Sequence, residues 1–184
     1  MLWLVLAVLA AVLIGGVLIF NRLTALRQMA RNGWSDIDVQ LKRRADLIPR
    51  LVSTVQGYAD HERGLFRDVV EARTRALAAG DDVGARGAAE GRVARDTSRL
   101  IALKEAYPAL KANENFLELQ RELADTEDKI EFARRFYNGA VRELNTAVKT
   151  VPLNLVAGPF GFAEWSYFEA DADAVDAPDV DFPA

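Results

Sequence analysis

The chain opens on twenty residues, Met1 to Phe20, that carry no charge and no hydrogen-bonding side chain except the Trp3 indole. Thirteen of them are Leu, Ile, Val or Phe. Wound as an α-helix at about 1.5 Å per residue, the run spans roughly 30 Å, the thickness of a bilayer's hydrocarbon core. Each large apolar side chain near the centre favours insertion by about 0.3–0.6 kcal/mol. The run therefore predicts a transmembrane helix. A cleaved signal peptide is the main competitor, but it would open on a basic stretch and end at small residues. Here Arg22 follows the apolar run, and Ala10, Ala11, Gly15 and Gly16 lie inside it.

Beyond Phe20 the apolar positions recur at alternating steps of three and four, as a helix packing one face requires. Leu23, Leu26, Ala30, Trp34, Ile37, Leu41, Ala45, Ile48, Val52, Val55 and Ala59 form one stripe, in register with the anchor. It predicts a helix nearly continuous to Tyr58, bent at Pro49, with Gly33 as a weak point and Ser35 as a possible cap of a separate helix. A second stripe runs through Phe116, Leu119, Leu123, Thr126, Ile130, Ala133, Tyr137, Ala140, Leu144 and Ala147. Its mean step of about 3.5 residues favours packing at about 20° to a neighbouring helix. Asn113 is a candidate N-cap for that helix, and Pro152 ends it. Two shorter helices lie between, from Glu62 to about Ala79 and from about Val83 to Ala106, joined by the Ala79-Gly80-Asp81-Asp82 turn.

Short connections favour up-and-down order. The expected fold class is all-α, an N-terminal transmembrane helix followed by an antiparallel up-and-down four-helix bundle. Residues 1–20 are the anchor, 21–33 a juxtamembrane helix, 34–150 the bundle, and 151–184 an aromatic segment with an acidic, disordered tail. In the up-and-down order the last helix returns toward the bilayer. Phe160, Phe162, Trp165, Tyr167 and Phe168 then either meet the lipid surface or cover the open end of the bundle.

Charge sharpens the topology. Arg22, Arg27 and Arg31 follow the span and nothing basic precedes it, so the bundle is expected in the cytoplasm and the N-terminus outside the cytoplasmic (inner) membrane. The net charge of −4 hides an asymmetry, since no Lys or Arg follows Lys149. From residue 169 onward the chain has too little apolar surface to offset the entropy of ordering.

Candidate chemistry is sparse. The chain holds one His and no Cys. A di-iron bundle needs Glu-x-x-His pairs, so no metal and no cofactor is expected. His61 lies in a polar turn, and Gly87-Ala-Ala-Glu-Gly91 lacks the Lys-Ser/Thr pair of a phosphate loop. No catalytic constellation is visible, and neither an enzyme nor a nucleic-acid binder is expected. Lys42-Arg43-Arg44 fans around a helix and reads as a solvated, salt-bridged face, with Asp46 spaced to pair with Lys42 or Arg43. Tyr137 falls on the second stripe with Asn138 beside it, and Asn145 follows on the Asn138 face, so that the two Asn side chains either make an interhelix hydrogen bond or face solvent.

Trp34, Leu41-Lys-Arg-Arg-Ala-Asp-Leu-Ile-Pro49 and Gly57-Tyr-Ala-Asp-His-Glu62 together resemble the signature of the bacterial LemA family. So do Ala106-Tyr-Pro-Ala-Leu-Lys-Ala-Asn-Glu-Asn-Phe116, Leu119-Gln120, Thr126-Glu127 and Ala133-Arg-Arg-Phe-Tyr-Asn138. The resemblance runs from Trp34 to Phe168. It departs from the family at Leu144-Asn145, where Tyr-Asn is usual, and at Val151-Pro152, where an aromatic-Pro pair is usual. It implies a membrane-anchored four-helix bundle without established enzymatic activity, in a family associated with membrane proteases and with building intracellular membrane structures. The expected role is a scaffold or adaptor that meets the membrane lipid bilayer and unidentified protein partners or copies of itself. The alternative is a lipid-surface protein that remodels membranes. Arg43, Arg44, Asp46, Pro49, Arg134, Tyr137 and Asn138 are the candidate interaction or register positions.

Overall fold

A computed structural model describes residues 1–169, so the tail from 170 onward, read above as disordered, lies outside the described residues. Six α-helices and one 3-10 turn make up the described chain, which contains no strand among those residues. Helix α1 (Leu2–Gln56) is unbroken through Gly33, Ser35 and Pro49. The separate helix capped by Ser35 therefore does not form, and anchor, juxtamembrane stretch and first stripe are one element.

Helix α2 (Arg63–Ala78) and α3 (Val83–Ala102) are joined by a turn in which Gly80 takes a φ of 63°, a left-handed conformation open to a residue without Cβ. The Asp82 carboxylate caps α3 by accepting the Ala85 N–H at 2.6 Å. A 3-10 turn (Leu103–Glu105) and α4 (Pro108–Lys111) lead into α5 (Glu114–Lys149). Asn113 caps α5 as its sequence position predicts, accepting the Phe116 N–H at 2.9 Å. After Pro152 comes a short α6 (Leu153–Ala157), which periodicity does not reveal.

Contacts divide the described chain into two units: Met1–Val39 with Lys129–Tyr167, and Gln40–Asp128 with Phe168 and Glu169. In the first unit Leu23 and Leu26 of α1 pack with Leu144 and Ala147 of α5, Ala157 of α6, and Phe162. Gly33 lets α1 approach α5 closely here, since a Cβ on it would lie 3.0 Å from the Tyr137 Cα. The second unit is built on Ile48, Leu51 and Val55 of α1, Phe66 and Val69 of α2, Val93 and Leu100 of α3, and Phe116, Leu119 and Leu123 of α5. Every position of the predicted α5 stripe is buried.

Pro49 carries a local consequence. Without an N–H it cannot bond the carbonyl four residues back, that of Ala45. The orphaned oxygen is taken by Arg73 of α2, whose Nε donates to it at 2.6 Å. Hydrogen bonds that involve a charged group contribute about 1.5–3 kcal/mol. Arg73→Met is expected to destabilise the native chain by that order and to cost much less in a Pro49→Ala background, where the helix supplies its own donor. A double-mutant cycle by urea unfolding measures the coupling, and additive effects would refute this pairing.

Candidate functional site

The most unusual arrangement is a charge network inside the second unit. Arg44 on α1 is 2% exposed, and Glu90 and Arg86 on α3 are 3% and 5% exposed. The Arg44 Nη2 donates to the Glu90 carboxylate at 2.5 Å and to the Glu90 carbonyl at 3.2 Å. Its Nη1 donates to both carboxylate oxygens of Glu127 on α5, at 2.9 and 3.1 Å. The other Glu90 oxygen accepts from Arg86 Nε at 2.9 Å. Two guanidinium groups thus face two carboxylates, and Glu127 remains open to solvent on one side. Burial by itself pulls the Arg44 pKa down. The charges and hydrogen bonds of Glu127 and Glu90 outweigh that, so the group is held above its ordinary value and stays a cation. Arg44 Nε is buried without an acceptor.

The reading of Lys42-Arg43-Arg44 as a solvated face is therefore corrected at Arg44, because position 44 turns toward α3 and α5. Arg43 is exposed and pairs with Asp125 of α5 at 3.8 Å rather than with Asp46. Such an open pair contributes little. Asp46 is exposed, and Pro49 lines a shallow groove with Arg50, Ser53 and Glu118. The network residues Glu90, Glu127 and Arg86 escaped the sequence reading, although Glu127 stood inside a quoted motif.

Tyr137, on α5 in the first unit, is fully buried beside Trp34, with ring centroids 5.7 Å apart. Its hydroxyl donates to the Ser166 carbonyl at 2.8 Å. Arg134 and Asn138 lie half-buried on the same helix. Asn145 does not bond another helix. Its side chain accepts the Trp165 N–H and donates to the Trp165 carbonyl, each at 2.9 Å, so α5 holds the aromatic segment as a strand partner would. Phe162 and Phe168 are buried, whereas Phe160 and Tyr167 are exposed.

Burial pushes the Tyr137 hydroxyl up from 10.0 to about 12. Above pH 10 the unfolded chain sheds this proton before the native one does, so the native state binds more protons and its stability falls as pH rises. The contribution is fully present below pH 10 and is lost between 10 and about 12. Urea unfolding at stepped pH is expected to show that decline in the native chain and a shallower one in Tyr137→Phe; equal slopes would refute it.

The profile of the LemA family matches residues 33–182, which include all four network residues, Tyr137 and Asn145. The chain belongs to the LemA family. The apolar start of α1 precedes the matched region. Magnetosome protein MamQ 2 and magnetosome protein MamQ 1 of Paramagnetospirillum magneticum are each 25% identical to it over 184 residues, covering 86% of this chain and 67% of the relative. Magnetosome protein MamQ of Magnetospirillum gryphiswaldense is similar to the same extent. Helix α1 is long and apolar enough to cross a membrane, with a mean hydropathy of 2.9 in its most apolar window and none of that window buried. Family and helix together point to a membrane-associated protein.

Proposed function

We propose that this LemA-family chain is a membrane-anchored scaffold or adaptor without catalytic activity. It holds an antiparallel four-helix bundle, formed by the later part of α1 with α2, α3 and α5, at the cytoplasmic face of the cytoplasmic membrane. There it meets partner proteins or copies of itself. The observation that carries this reading is the start of α1: Leu2 to Ile14 are all exposed, an apolar surface far too continuous for a protein dissolved in water. The Lys- and Arg-bearing part of α1 follows the apolar start without a helix break.

Alkaline extraction of membranes tests the anchor. The native chain is expected to stay in the pellet, and Leu9→Arg/Leu13→Arg to be released. Release of the native chain would sink the proposal. Crosslinking in intact membranes then separates an adaptor, recovered with other proteins, from a self-assembling scaffold, recovered only with itself. The remodelling alternative has the exposed Phe160 and Tyr167 in its favour. Reconstituted protein that leaves vesicle size and shape unchanged would remove it.

A further inference from the structure

Inside the first unit an apolar groove of about 380 Å³ runs along the end of the span. One wall is Val12, Gly16, Val17 and Phe20 of α1, and the other is Val156 of α6 with Phe160. The Phe20 and Phe160 rings meet edge to face, with centroids 5.2 Å apart. The floor at Gly16 is open, for a Cβ there would meet nothing within 4 Å.

Depth follows from the walls. If residues 2–20 of α1 lie in hydrocarbon, Val156 and Phe160 line the same groove and must lie at the same depth. Three further features agree. Val151 and Leu155 are each 70% exposed and Phe160 is 61% exposed, apolar surface that water penalises. Several of the segment's backbone donors are met internally: the Asn154, Leu155, Phe160, Gly161 and Phe162 N–H groups bond carbonyls within residues 150–158, which lowers the cost of entering hydrocarbon. Pro152 and Pro159 have no N–H to satisfy. Arg22, exposed two residues past Phe20, stands where lipid phosphates would be.

We infer that the segment Val151–Phe160 is a second, non-spanning membrane contact, dipping into the leaflet where the span ends, and that the groove between them receives one lipid acyl chain. This rests on the anchor reading above but is separable from it. Lipid is the occupant because the groove is continuous with the span and lined by apolar side chains alone.

The full-length chain is reconstituted in phosphatidylcholine vesicles doped with a phosphatidylcholine that carries a diazirine in mid-chain, irradiated, and its adducts mapped by mass spectrometry. Adducts are expected on the peptide holding Val156 and Phe160 as well as on the span. Gly16→Phe, which fills the groove, should cut the Val156–Phe160 adducts at least threefold and leave those on Leu2–Leu9 unchanged. A nitroxide on Leu155→Cys, unique in a chain without cysteine, should collide more with oxygen than with an aqueous nickel complex. Adducts confined to the span, or a water-accessible nitroxide, overturn the inference while leaving the anchor intact. Absence of adducts from the span as well removes both. Efficient disulfide linking of Val17→Cys chains with no lipid adduct on the groove peptide would mean a second copy sits there, and that also overturns it.

Discussion

Glu90→Ala is expected to lower the unfolding free energy by about 3–5 kcal/mol, the cost of leaving a buried charge without its partner. Glu90 is the centre of the network, accepting from Arg44 on one oxygen and Arg86 on the other. Its removal leaves the nearly buried Arg44 with Glu127, whose side chain is 43% exposed and therefore screened, and takes from the nearly buried Arg86 the carboxylate its Nε donates to. Neutralisation offers no escape, because an arginine cannot shed its proton in the accessible pH range. The informative companion is the triple variant Arg44→Met/Glu90→Met/Arg86→Met. Buried ion networks replaced whole by apolar residues are often neutral or stabilised by about 1–4 kcal/mol. A network that only stabilises would make the triple variant worse than the native chain. One that fixes which faces of α1, α3 and α5 meet would leave it stable but less uniquely packed, with broader amide resonances. Urea unfolding in detergent measures both, and a Glu90→Ala change under about 1 kcal/mol would mean the carboxylate is solvated.

Packing helices write their period into the sequence, which is why all of the α5 stripe was legible, while the long apolar start of α1, the Asn113 cap and the Gly80 turn were legible from residue type. Charge hid the network. Ile37, Leu41, Arg44, Ile48, Leu51 and Val55 form a stepped series as regular as the stripe chosen through Ala45 and Val52, and the structure buries every one of them. Arg86, Glu90, Val93, Thr97 and Leu100 make a similar series on α3, also buried. Geometry placed Arg44 and Glu90 inside; their residue type argued for outside. Read together, a positive and a negative residue each on a core-facing series were the available signal. Other features had none. Helix α6 is shorter than two turns, too brief for periodicity to register. The Arg73 bond to the Ala45 carbonyl joins residues 28 apart that no local pattern links.

Gly87→Ala is expected to detach the end of the aromatic segment from α3. A Cβ at Gly87 would lie 2.3 Å from the Glu169 carbonyl oxygen and 3.1 Å from its carbon. Both are backbone atoms, so no side chain can swing aside, and residues 168–169 must retreat. Glu169 thus packs against a helix rather than beginning a free tail. Its neighbour Phe168 is fully buried, and releasing such a ring costs about 1.5–3 kcal/mol. Alanine in a helix interior returns about 1 kcal/mol relative to glycine, leaving a net loss of about 0.5–2 kcal/mol. The local effect is larger than the global one, because the cost falls on one segment. Chymotrypsin cleavage after Phe168 should therefore rise by about tenfold, as a 1.4 kcal/mol change in opening dictates. Gly84→Ala, in the first turn of the same helix and free of close contacts, is the control, expected to stabilise without new cleavage. Gly87 adjoins Arg86 and lies three residues before Glu90 on α3, so retreat of the segment should also admit water to the network and reduce the cost of Glu90→Ala. A Gly87→Ala chain as protease-resistant as the native one would show that the segment does not rest on this glycine.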